Sequence, residues 1–227
     1  MRALWALVVV MLWPVMAAPG PWPRDAGARF LSVSSTGDTG SVWFEQGLGR
    51  ARWIVAEGRV SRAGDWDVAL RYHRAMADRA GLKLAWSLGL SVGMPLTDVV
   101  IDLPPVWWPG RTEVIVRIDP VVAVQAGLSA GVGLVRPWPG WLALDLMAEA
   151  GPQRKRLKAD ATLGFRPRDR WMLLLQAHGR VGNGPPGLAL ASSIVWQVGR
   201  GTRLQAGLHH DLRGGRTVAK FGNWLEF

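Results

Sequence analysis

The chain has no cysteine and a single tyrosine among 227 residues. Beyond its first residues, no apolar run reaches the ~20 residues that a helix needs to cross a bilayer. Each shortage excludes something. Absence of cysteine rules out a disulfide framework and any thiolate metal ligand. Histidine offers no replacement. Of the four, His209 and His210 are adjacent, point to opposite faces of a strand and cannot chelate together. No metal or other cofactor is expected. Gly-x-Ser-x-Gly does not occur, so there is no nucleophile elbow. Acidic residues are scarce too, 17 against 27 Lys and Arg, for a formal charge of +10. The basic residues are scattered singly along alternating segments, so nucleic acid is not the expected partner. Without a spanning helix, any membrane-crossing structure must be built from strands.

What is present points the same way. Met1-Arg2 carries one positive charge, residues 3–16 are apolar, and Val15-Met16-Ala17 offers a small-residue cleavage site. This is the layout of a secretory signal peptide cut after Ala17. Pro14 interrupts the run, which is short for a membrane span. Residues 1–17 are read as signal peptide, 18–28 as an N-terminal leader segment and 29–227 as the folded body. The 28 glycines and 14 tryptophans suit strands and tight turns facing a membrane.

Alternation then runs almost to the end. Segments 30–35, 41–48, 52–61, 67–77, 81–93, 112–135, 141–150, 157–166, 171–180, 188–198, 202–212 and 216–227 read as twelve strands. Segment 81–93 is the cleanest. Leu82, Leu84, Trp86, Leu88, Leu90 and Val92 share one face; Lys83, Ala85, Ser87, Gly89, Ser91 and Gly93 share the other. A small, polar inner face behind an apolar outer one is the reverse of a soluble barrel of the lipocalin type, and calls for lipid outside. The expected fold is all-β, a transmembrane antiparallel up-and-down barrel of about 12 strands. Counting connections back from the C-terminus leaves short turns on one side (49–51, 78–80, 136–140, 167–169, 199–201). The loops 94–110, 151–156 and 181–187 fall on the other. Trp53, Trp138, Trp141, Trp171, Trp196 and Trp224 lie near the short-turn ends. By parity Trp53, Trp141 and Trp224 point inward.

The last eight residues carry a further signal. Phe227, Leu225, Asn223 and Phe221 alternate with Glu226, Trp224, Gly222 and Lys220. Lys220, Gly222, Leu225 and Phe227 supply a polar residue, a glycine two later, an apolar residue third from the end and a terminal Phe. The stretch resembles the C-terminal assembly signal of bacterial outer-membrane β-barrels. The resemblance takes in the leader, the alternation and this signal. It implies a protein of the outer membrane of a Gram-negative bacterium, exported through a cleaved signal peptide. Its expected partners are outer-membrane lipid and lipopolysaccharide, the barrel-assembly machinery and periplasmic chaperones. It implies no substrate and no oligomeric state. An enzyme is not expected: Ser192 and His210 share the outer face of neighbouring strands, but the His and Ser two apart on one strand of outer-membrane phospholipases are missing.

Parity also gathers a charged set inside: Glu45, Glu57, Arg59, Arg71, His73, Lys83, Asp145, Glu149, Lys158, Asp160, Arg166, His178, Arg180, Arg203, His209, Asp211 and Lys220. Two readings are open. The set lines a channel or facilitator for small solutes, or opposite charges pair across a narrow lumen and hold it shut. A closed barrel would act structurally, or bind at the surface through the 94–110 loop. Segments 97–103 and 112–119 are expected to pair there as an extracellular hairpin, with Trp107 and Trp108 at its tip. Arg154, Lys155 and Arg156 are expected on the same outer side, facing lipopolysaccharide phosphates or solvent.

Overall fold

The structure, a computed structural model, describes residues 22–79, 81–94 and 120–227. The signal-peptide reading of 1–17, the 97–103/112–119 hairpin and the Trp107-Trp108 tip lie outside the described residues. Twelve strands follow one another: β1 (Arg29–Thr36), β2 (Thr39–Gly49), β3 (Arg52–Ser61), β4 (Trp66–Arg79), β5 (Leu82–Met94), β6 (Val121–Leu134), β7 (Gly140–Ala150), β8 (Lys155–Arg168), β9 (Trp171–Gly182), β10 (Gly187–Gly199), β11 (Thr202–Asp211) and β12 (Arg216–Glu226). Each pairs antiparallel with its chain neighbours, and β1 closes onto β12 from Phe30↔Glu226 to Thr36↔Lys220. The all-β up-and-down barrel read from the alternation is the fold. Closure leaves no edge strand among the described residues, which a wall facing hydrocarbon requires.

Alternation decides which face is which. On β5, Leu88 and Leu90 are more than half exposed while Ala85 and Ser91 are buried. Large apolar side chains are therefore outside and small or polar ones inside, the reverse of a soluble barrel. One rim, called here the terminal rim, holds both ends of the barrel, where Arg29 N–H donates to the Phe227 carbonyl (2.8 Å). It also holds the turns at 50–51, 135–139, 169–170 and 200–201 and the β4–β5 turn. Trp138, Trp171 and Trp196 are exposed near this rim, and the last two stack at 5.6 Å. The far rim carries the turns at 37–38, 62–65, 151–154, 183–186 and 212–215, and β5 ends and β6 begins there, at Met94 and Val121.

Strand β8 departs from expectation at both ends. It begins at Lys155 rather than 157, so the basic loop shortens to 151–154. It also runs on through Pro167 to Arg168. A register shift between Phe165 and Arg168 accommodates the proline, which has no N–H to give the ladder.

Candidate functional site: a lumen of two halves

Near the terminal rim the inward side chains are large and apolar. Phe30, Trp141, Ala143, Met172, Leu174, Val195 and Trp224 form one buried cluster, with Trp22 and Trp43 packed against it. Trp53, Val55 and Ala85 form a second that shares Trp43. Trp141 fits because its cross-strand neighbour Gly164 has no side chain; a Cβ there would lie 2.5 Å from the indole. Phe30 meets Trp224 edge-on at 5.7 Å, and Trp224 Nε1 donates to Gln205 Oε1 (3.1 Å). His73 stacks on Trp53 at 5.1 Å. These groups are buried against one another as side chains of a protein interior are. Two ion pairs sit in this floor. Arg203 Nη1 lies 2.8 Å from Glu226 Oε1. Buried Glu45 accepts from Trp43 Nε1 (2.7 Å) and from Arg24.

Toward the far rim the same inner face turns charged. Arg71, buried, lies 3.0 Å from Glu57 Oε2 and donates to Gln125 Oε1 (3.3 Å). Its guanidinium also stands 5.1 Å from the Trp43 ring, joining the two halves. Gln125 Nε2 donates to Glu149 (3.0 Å), whose oxygens also take Arg156 Nη2 (2.5 Å) and Lys158 Nζ (2.7 Å). Arg154 Nη1 reaches Asp67 on β4 at 2.5 Å. Ionised groups withdrawn from water need such partners, since an unpaired one costs several kcal/mol. A cavity of ≈ 20 Å³, room for about one water, remains among Glu57, Arg59, Asp67, Ala69, Gln125 and Lys158. Further round the wall, Asp145 stands directly opposite Asp160. Asp160 Oδ1 is 2.7 Å from His178 Nδ1, and the rings of His178 and His209 lie 6.1 Å apart. Lys220 Nζ donates to Gln176 Oε1 (2.9 Å).

Some residues of the charged set stand apart from this network. Lys83 Nζ donates to Asp78 (2.6 Å) at the β4–β5 turn. Asp211 accepts the Arg213 N–H (2.9 Å) at the β11–β12 turn. Arg180 is exposed near the far rim and Arg166 lies at the bulge of β8, whereas Arg59 belongs to the network, 3.5 Å from Glu57. The basic run 154–156 divides. Lys155 is exposed, whereas Arg154 and Arg156 turn inward onto Asp67 and Glu149, which alternation along β8 imposes on Arg156. The expected facing of all three toward lipopolysaccharide phosphates or solvent is corrected for these two, whose counterions are carboxylates of the lumen. Within the terminal stretch, Gly222 pairs with Ser34 and Gln205, Leu225 with Leu31 and Thr202, and Phe227 is exposed. His210 Nδ1 lies 2.8 Å from Thr217 Oγ1 on β12, the strand on the far side from Ser192.

Residues outside the charged set also matter. Asp67 and Gln125 sit on the inward register: Gln125 stands opposite Glu149 on the neighbouring strand β7, whereas Asp67 meets Arg154 only across the lumen. Arg24 lies outside every strand, so no periodicity marks it.

No family model matches the chain, and no curated protein does. Among solved structures it is similar to the KdgM porin in complex with disordered oligogalacturonate. There the TM-score is 0.63 at 7% identity, over 88% of this chain and 99% of that one. It is also similar to the NanC porin, with a TM-score of 0.55 at 7% identity, over 88% and 98%. At such identities the likeness carries the fold and says nothing of substrate. The chain is a closed twelve-stranded β-barrel, similar in fold to these porins.

Proposed function

We propose that the chain is an outer-membrane channel or facilitator for small solutes, with the charged half of its lumen as the solute path. One observation carries the reading: an apolar exterior encloses a connected set of inward charges, Glu57–Arg71, Glu149–Arg156–Lys158 and Asp67–Arg154. A soluble barrel has no use for that inversion, and a purely structural barrel has no use for so many lumenal ions at their desolvation cost. Among the described residues, Arg71 Nε and Nη2 and both ring nitrogens of His73 are buried without hydrogen-bond partners, and they are groups that a polar solute would satisfy. In this reading the terminal rim faces the periplasm. The segment before residue 18 is removed on export, and the last strand is what the barrel-assembly machinery recognises. Outer-membrane lipid and lipopolysaccharide surround the wall.

The test is swelling of liposomes that contain the refolded chain. Uptake of small sugars and small charged solutes above protein-free liposomes, falling with solute size, is the expected result. Swelling no faster than in protein-free liposomes would contradict the reading. It would favour the second one, a closed barrel with a structural or surface-binding role, for which the packed aromatic floor speaks.

A further inference from the structure

We propose that residues 22–28 are the gate of this barrel, a stopper seated in the floor of the lumen and latched by Arg24. The proposal rests on the channel reading above.

Before β1 begins, the chain runs inside the mouth rather than away from it. Gly27 N–H donates to the Gly47 carbonyl (3.0 Å), and Gly47 N–H donates to the Ala28 carbonyl (2.9 Å). Gly47 belongs to the inward register of β2, with Glu45 and Trp43. A Cβ at Gly47 would lie 1.9 Å from the Asp25 carbonyl oxygen. The segment's backbone thus occupies the space that a wall side chain would take. Trp22 packs on the aromatic cluster of the floor. Arg24 is paired with Glu45, with side chains only 6% and 4% exposed, and its guanidinium stands 4.6 Å from the Phe30 ring centroid.

The attachment is of a kind that can release. Among the described residues, every other large floor residue except Trp22 stands on a strand paired on both sides, whereas 22–28 is tied by a few backbone bonds, one indole and one ion pair. A buried ion pair holds by attraction that its own desolvation largely offsets. The segment is therefore the least secured part of the floor and the part that moves when the mouth opens.

Two substitutions act on the seat from opposite sides. Arg24→Ala removes the latch, and Gly47→Ala places a methyl group where the Asp25 carbonyl sits. Each refolded variant and the unaltered chain are recorded in planar lipid bilayers, with heat-modifiable mobility reporting the folded barrel. The unaltered chain is expected to show rare, brief steps. Either variant is expected to show sustained ones, with time-averaged conductance at least about tenfold higher, as a shift of ~1.4 kcal/mol in the closed–open balance gives. If only one variant folds, it decides. Equal steps and dwell times in all proteins would overturn the gate and leave the channel standing. Silence from all of them, folded, would remove gate and channel together. Failure of both variants to fold would make 22–28 a structural part of the barrel and would also overturn the gate.

Discussion

The two halves of the lumen are built by the same strands with the same alternation, yet one is mainly apolar and the other mainly charged. Along β3 the inward residues are Trp53 and Val55, then Glu57 and Arg59. Along β7 they run from Trp141 and Ala143 to Asp145 and Glu149, and along β9 from Met172 and Leu174 to Gln176, His178 and Arg180. On β12, traced from its end, Trp224 and Gly222 give way to Lys220. Period-two patterning selects the face, while height along the strand selects the chemistry. Most of the floor can be packed dry, because its aliphatic and aromatic bulk demands few partners, and its two ion pairs, Arg203–Glu226 and Arg24–Glu45, supply their own. Charges above it must be paired or wet.

This contrast can be broken from either side. The largest effect is expected in the floor. Trp141→Ala deletes a fully enclosed indole above Gly164 and is expected to cost about 4 kcal/mol, measured as urea resistance of the detergent-folded barrel. In the charged half, Glu149→Ala strips Arg156, Lys158 and Gln125 of their common acceptor. A loss of about 3 kcal/mol is expected in the same assay, since the remaining cations lose their partner in a site withdrawn from water. On the outer wall, Leu90→Arg exchanges an exposed leucine for a charge and is expected to cost about 2–3 kcal/mol of stability in a bilayer. No comparable loss in lipid would count against a membrane-facing exterior. The smallest effect belongs to the far rim, where Arg216 (2.7 Å) and Arg62 (4.0 Å) share Asp38 in solvent. Asp38→Ala is expected to change stability by about 0.5 kcal/mol or less, and by less still in high salt.

Much of this was legible in the sequence, and the limits have physical causes. Alternation marks all twelve strands because a wall with lipid on one side and side chains on the other imposes period two everywhere. It also turns Trp53, Trp141 and Trp224 inward, and the structure buries them. The drift from aromatic to charged along β3, β7 and β9 is visible in the residues too, once the inward register is read by height as well as by face. Partners across the lumen are not. Arg154 and Asp67 lie 87 residues apart and meet only because closure brings the β7–β8 turn over β4. Pro167 reads as a turn, but the register shift carries β8 past it. Arg24 has no periodic context, and its role depends on where the segment before β1 folds back.

The most direct test of the two-half lumen uses the absence of native cysteine. Single cysteines are introduced by Arg59→Cys in the charged half and by Ala143→Cys in the floor, in barrels reconstituted into liposomes. Each is exposed to a small, charged, membrane-impermeant thiol reagent. The Arg59→Cys variant is expected to react readily, and the Ala143→Cys variant far more slowly, because its side chain is sealed among Trp141, Met172 and Trp224. Equal rates at both positions would mean that water passes the floor freely, and the division of the lumen would be wrong.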